Sequence, residues 1–154
     1  MNTTLEQLGE FLTKANKHTY AADGTKTEPS RLASEDFDYK EGNLTYHDTY
    51  FGSANFIGEE IVYEDNNPIW GANYYGYIQD VNLSVKQVYG FLKEALIQEY
   101  NNIIPVRGPK SFKNDKFEYQ NQVSGDLSNF EGAEIILYNG RPVYKAFYHG
   151  GLVK

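Results

Sequence analysis

Two glutamates hold one position in a recurring heptapeptide. Glu60 lies in Asn55-Phe56-Ile57-Gly58-Glu59-Glu60-Ile61 and Glu134 in Asn129-Phe130-Glu131-Gly132-Ala133-Glu134-Ile135. A carboxylate set among aromatic and amide side chains can hydrogen-bond a ligand, hold a cation or keep its proton near neutral pH. The two-residue turn signal Asn139-Gly140 predicts a tight hairpin, with Asp65-Asn66 in the equivalent place. Continued without interruption, that register sets Lys145 opposite Glu134 and Gly71 opposite Glu60. One carboxylate is then neutralised across the ladder, and the other is left free to meet something else. Sharing a face with Glu60 and its counterpart are Asn73, Tyr75, Phe147 and His149. Tyr75, Phe147 and Tyr50 would be aromatic walls, while Asn73 and His149 would orient a ligand. Arg107, in Pro105-Val106-Arg107-Gly108-Pro109, would meet an anion, because guanidinium clamps carboxylate or phosphate through two bonds. It could equally tie its loop to Glu134 or Glu60. Its retention as Arg31 in Pro29-Ser30-Arg31 favours the tie.

Other chemistries find little support. The chain has no Cys, so disulfides, thiol nucleophiles and thiolate metal sites are excluded together. His18, His47 and His149 lack metal-ligand spacing, and no EF-hand loop uses the acidic residues; neither a metal nor a cofactor is expected. No nucleophile elbow, P-loop or dinucleotide fingerprint is present. Twenty-one acidic against 14 basic residues leave a net charge of −7, which repels phosphate backbones and disfavours nucleic acid as a partner of this chain. No apolar run approaches membrane-spanning length, and the first residues do not read as a signal peptide, so a cytoplasmic domain is expected. The unusual feature is aromatic: 14 Tyr and 9 Phe in 154 residues suit strands, interfaces and ligand pockets.

The elements that must position these groups repeat. Between positions 55–76 and 129–150 there are nine identities in 22 aligned positions, where composition alone gives about one or two. Upstream, Tyr46 matches Tyr119, Gly52 matches Gly125, and Phe11, Leu12, Ala15 and Tyr20 match Phe91, Leu92, Ala95 and Tyr100. Thr4-x-x-Gln7 and Ser84-x-x-Gln87 are capping boxes that open a helix in each half, the second ending at Asn101-Asn102. A strand follows near 43–51 and 116–124, then hairpins at 57–76 and 131–149. The predicted fold is α+β: an internally duplicated α-β-β-β unit, about six antiparallel strands with two helices packed on one face. Residues 1–154 form one domain of two pseudo-repeats, about 4–76 and 84–150. Leu137, Ile135, Ala133, Tyr144, Ala146 and Tyr148 are expected beneath the helices. The face with Glu60 and Glu134 is expected to be the outer one.

Several motifs together resemble an uncharacterised bacterial family, a domain of unknown function. They are Asp48-Thr49-Tyr50-Phe51-Gly52, Phe56-Ile57-Gly58-Glu59-Glu60, Pro68-Ile69-Trp70-Gly71-Ala72-Asn73-Tyr74-Tyr75-Gly76, Arg107-Gly108-Pro109 and Tyr148-His149-Gly150-Gly151. Members of that family stand alone or follow a Cro-type (Xre) helix-turn-helix, which implies a sensing or effector-binding role. A looser likeness, of topology only, is to GyrI-like effector-binding domains. The expected function is therefore a non-enzymatic domain that binds, senses or sequesters a small metabolite or nucleotide-like molecule where the repeats meet on the outer sheet face. One alternative is a small hydrolase or isomerase with Glu60 or His149 as general base. Another is an interaction module, including a homodimer, that uses an aromatic sheet face.

Overall fold

Both capping boxes form. Thr4 and Ser84 accept from the backbone N–H of Gln7 and Gln87, whose side chains bond back to the cap N–H groups. They open α1 (Leu5–His18) and α2 (Val85–Leu96) in the computed structural model, which describes residues 2–22, 24–79, 82–98 and 104–154. The apolar residues at helical spacing become core: Leu8, Phe11, Leu12 and Ala15 in α1, and Val88, Phe91, Leu92, Ala95 and Leu96 in α2. The second helix closes at Leu96, with the N–H of Ile97 on the carbonyls of Lys93 and Ala95. Tyr100, Asn101 and Asn102 lie outside the described residues.

Four strands follow each helix, rather than the three expected. After α1 come β1 (Glu35–Glu41), β2 (Leu44–Gly52), β3 (Asn55–Glu64) and β4 (Asn67–Ile78). After α2 come β5 (Ser111–Asn114), β6 (Phe117–Asp126), β7 (Asn129–Tyr138) and β8 (Arg141–Leu152). All pair antiparallel in one sheet of order β1-β2-β3-β4-β8-β7-β6-β5, so the fold is α+β, with eight strands among the described residues where about six were expected. The two extra strands are the edges. β1 (Glu-Asp-Phe-Asp-Tyr-Lys-Glu) is mostly charged and poor in strand formers, and β5 is only four residues long. Short, charged edges hold a sheet back from further pairing, but they leave a faint strand signal in the sequence.

The hairpins also depart from the expected register. Asp65-Asn66 and Asn139-Gly140 have φ of 50°, 67°, 49° and 77°, the backbone of a tight two-residue turn. The first pairs are those the turn demands: Tyr63 with Pro68, and Leu137 with Pro142. Then each ladder bulges at the next residue, Ile69 or Val143, and Val62 pairs with Trp70 as Ile136 does with Tyr144. A shift of one residue moves the whole remainder of β3 and β7 to the other face. Glu60 pairs with Ala72 and Glu134 with Ala146, both toward the helices; Gly71 faces Ile61 and Lys145 faces Ile135. The expected Glu60–Gly71 and Glu134–Lys145 pairs do not form. Tyr144, Ala146 and Tyr148 do lie beneath the helices, whereas Ile135 and Ala133 turn outward with Lys145.

The inner face is largely aromatic. Tyr46, Trp70 and Tyr74 pack with Leu8, Phe11, Leu12 and Ala15 of α1, and Tyr119 and Tyr144 pack with α2. Where the halves join at β4 and β8, Tyr74 pairs with Tyr148. Among the described residues no helix is long and apolar enough to cross a membrane.

Candidate functional site

In the second half the inner carboxylate is fully engaged. Glu134 has no solvent exposure, and the Arg107 guanidinium grips it through Nε to Oε2 at 3.2 Å and a terminal nitrogen to Oε1 at 2.5 Å. The Tyr119 hydroxyl donates to Oε2 at 2.6 Å and the Tyr144 hydroxyl to Oε1 at 2.8 Å. Burial pushes the Glu134 carboxyl up, but Arg107 and the hydroxyls outweigh it and hold the group below its usual range. Arg107 stays charged, because Glu134 offsets its own burial. Beside this centre, Tyr148 lies across Gly132 and donates to Asn121 Oδ1 at 2.6 Å, and the Asn121 amide donates to the Gly108 carbonyl.

The first half repeats the geometry with different partners. Asp48 and Glu60 are direct cross-strand partners on β2 and β3, as Asn121 and Glu134 are on β6 and β7. Tyr74 lies across Gly58 and donates to Asp48 Oδ1 at 2.6 Å, the counterpart of Tyr148 on Asn121. Gly58 allows this approach, since a Cβ there would fall 2.4 Å from the Tyr74 hydroxyl oxygen. Two donor side chains differ around Glu60. Trp70 stands where Tyr144 does, and its indole N–H is committed to the Leu127 carbonyl at 3.0 Å. The arginine of Pro-x-Arg has gone to the other side of the sheet, where Arg31 is ion-paired with Glu59. Among the described residues Glu60 makes no ion pair, and it is 6% exposed. Burial, reinforced by Asp48, raises Glu60 to about 8, against the pull of Arg107 and the neighbouring Tyr46 hydroxyl. Burial likewise raises Asp48 to about 6, although the Tyr74 hydroxyl and Arg107 favour its charged form.

These two carboxyls line a cavity of about 250 Å³ between the helices and the first half of the sheet. Tyr46, Tyr50, Phe56 and Tyr74 form its sheet side. Tyr20 from the short turn after α1, and Val85 and Tyr89 from α2, form its roof. Tyr89 donates to the Ala54 carbonyl at 2.7 Å and so ties α2 to the β2–β3 turn. Glu35 adds a third carboxylate, which accepts from the Tyr50 hydroxyl and pairs with Lys26. Arg107 also touches the cavity, but its fork is occupied by Glu134.

Sequence reasoning thus combined residues from two faces. Glu60, Tyr50 and Arg107 meet at this cavity. Asn73, Tyr75, Phe147 and His149 lie on the opposite, outer face in a shallow depression with Ile57 and Glu131. There Tyr75 pairs across the ladder with Phe147, and Asn73 with His149, in the manner of a sheet surface. Asp48, Tyr46 and Tyr74 were missed as site residues. Their signal was the alignment of the two sequence halves: Tyr46 and Tyr74 align with Tyr119 and Tyr148, and Asp48 with Asn121.

A second polar cluster lies on the outer face under the segment before β1. His47 Nδ1 is 2.5 Å from Asp38, and its Nε2 is 3.4 Å from the Ser30 hydroxyl, an outline that suggests a nucleophile triad. The proton assignment argues otherwise. Ser30 donates to Asp36 Oδ1 at 2.6 Å, and His47 Nε2 is nearer Asp36, at 3.1 Å. The hydroxyl is therefore held by a carboxylate, and the cluster fastens the 30–34 turn to β1 and β2.

The family described as a domain of unknown function, DUF5680, matches residues 48–153. That span takes in Asp48, Glu60, Tyr74, Arg107 and Glu134. No curated protein and no solved structure matches the chain.

Proposed function

We propose that the chain, which belongs to the DUF5680 family of domains of unknown function, is a non-enzymatic small-molecule-binding domain whose site is the first-half cavity. We read its two halves as copies of one module, in which the second copy is internally neutralised and the first is open. One observation carries this reading. Glu60 is buried against Asp48 at the wall of an aromatic cavity and, among the described residues, lacks the cation that its counterpart possesses. Small-molecule sites are concave and mostly apolar, with a few convergent polar groups and perturbed titrations. A metabolite held there could be sensed or sequestered.

A thermal-shift screen of the purified chain against metabolites and nucleotides, with calorimetry on hits, tests the reading. A ligand at 100 times its Kd adds about 2.7 kcal/mol of stability. Val85→Trp, at the half-exposed start of α2, should crowd the cavity mouth and abolish binding. Hits indifferent to it, or no hit at all, would contradict the proposal and direct attention to the outer aromatic face.

A catalytic reading is favoured by the titration of the pair. Asp48 and Glu60 are cross-strand neighbours and burial pushes both carboxyls up, so one can hold a proton beside an ionised partner, as a general acid beside a general base would. Glu60→Gln separates the two readings: an enzyme keeps much of its binding and loses turnover, whereas a binding site loses affinity.

A further inference from the structure

We infer that the ligand of the first-half cavity is a small organic cation, whose guanidinium or ammonium head seats on Glu60 and Asp48 as Arg107 seats on Glu134. The inference rests on the binding reading above and adds the chemical class of the ligand.

The second half supplies the precedent within the same chain. There a buried glutamate on the third strand of its half is satisfied by two guanidinium N–H groups and two tyrosine hydroxyls. The first half keeps the glutamate and one tyrosine, Tyr46, and withholds the rest. Trp70 replaces the second tyrosine and spends its N–H on Leu127, while Arg31 pairs with Glu59 on the far side of the sheet. The cavity adjoins the carboxylate that lacks these donors. A second carboxyl has also been added, since Asp48 stands at the register position of the neutral Asn121. The change from amide to acid increases the negative charge facing the cavity without altering the bond to tyrosine, because Tyr74 donates to Asp48 as Tyr148 does to Asn121.

Other ligand charges fit less well. An anion would have to take Arg107 from Glu134 and lie beside Asp48 and Glu60, leaving an uncompensated buried glutamate behind. A neutral ligand without N–H or O–H groups would leave Glu60 without the donors that Arg107 and Tyr144 give Glu134. The walls suit the body of an organic cation, since the faces of aromatic rings attract cations and stack with other rings, and Tyr46, Tyr50, Phe56 and Tyr74 line the cavity. About 250 Å³ is room for a single-ring molecule or a short aliphatic chain.

Calorimetry on the full chain with benzylguanidinium, methylguanidinium and phenethylammonium, against the neutral isostere benzylurea, tests this directly. At least one cation should bind, and benzylurea should bind on the order of tenfold to a hundredfold more weakly than benzylguanidinium, as loss of a charge-assisted pair implies. Glu60→Gln should weaken the cations by a similar factor and leave benzylurea unchanged. Asp48→Asn, which copies an arrangement the protein already uses at Asn121, should fold and weaken the cations severalfold, keeping the test open should Glu60→Gln not fold. Equal affinity for benzylurea, cation binding indifferent to both substitutions, or no binding of any of the three cations would overturn the inference. If a neutral or anionic compound from the screen is displaced by Val85→Trp while the cations fail, the ligand class falls and the binding site stands. If nothing of any charge binds, both fall.

Discussion

Arg107 holds three inner carboxyls, Glu134, Asp48 and Glu60, in check, and it does so unevenly. It touches Glu134 directly and acts on Asp48 and Glu60 only through space. Removing one partner of a buried ion pair leaves the other charge uncompensated, at a cost of about 3–5 kcal/mol. Arg107→Met should therefore destabilise the protein by that amount in urea titrations at pH 7, and Arg107→Met with Glu134→Gln should recover most of the loss. A double variant as weak as the single one would show that Arg107 acts through packing instead. At this scale the sequence was informative about residue type and poor about partner. Arg107 and Glu134 were candidates for a loop tie, and the tie exists. The cross-strand partners assigned to both glutamates were wrong, because a bulge two pairs beyond the turn has no residue signature that sets Ile69 or Val143 apart from an ordinary strand residue.

Among the elements, the β3–β4 and β7–β8 hairpins carry the two buried glutamates, and their close approaches are specific. Gly58 and Gly132 let a tyrosine of the neighbouring strand lie flat and reach across to β2 or β6. A Cβ at Gly58 would also come within 2.7 Å of the Thr49 backbone carbonyl, so relaxation of Tyr74 alone does not relieve it. Gly58→Ala should cost about 1–3 kcal/mol through overpacking and should break the Tyr74–Asp48 bond. The pair of measurements that checks this is a denaturation curve and the tyrosine hydroxyl resonance, and an unchanged resonance would contradict the geometry. The helices and inner strands were legible because capping boxes, 3.6-residue periodicity and an Asn-Gly turn are strong local signals. β1 was not: its two inward aromatics, Phe37 and Tyr39, alternate correctly among five charged residues, whose composition reads as loop. The bulges, not β1, set Glu60 on the face opposite Asn73, Tyr75, Phe147 and His149.

For the molecule as a whole, two sets of carboxyls pull stability in opposite directions with pH. Asp48 and Glu60 bind protons more tightly folded than unfolded, so their unfavourable contribution grows as pH rises from about 4 through about 6 and about 8. Glu134 binds its proton less tightly folded, so the stability it provides is present above its unfolded value and fades in acid. The melting temperature should peak near about pH 5 and fall toward pH 8. Glu60→Gln should flatten the alkaline side and leave the acid side unchanged. A melting temperature that rises steadily from pH 5 to pH 8 would contradict this assignment. The strand order is symmetric, yet the two halves treat the corresponding glutamates differently: one supplies a guanidinium, and the other has a cavity beside it.

The most direct test of that asymmetry is a carbon-13 titration of the glutamate side-chain carboxyls, with Glu60 assigned by its loss in Glu60→Gln, in the free protein and with benzylguanidinium. In the free protein Glu60 should titrate near 8, apart from the other glutamates, and the bound cation should draw its midpoint down by one unit or more. A Glu60 carboxyl that titrates near 4.5 in the free protein, or whose midpoint ignores the cation, would contradict the account.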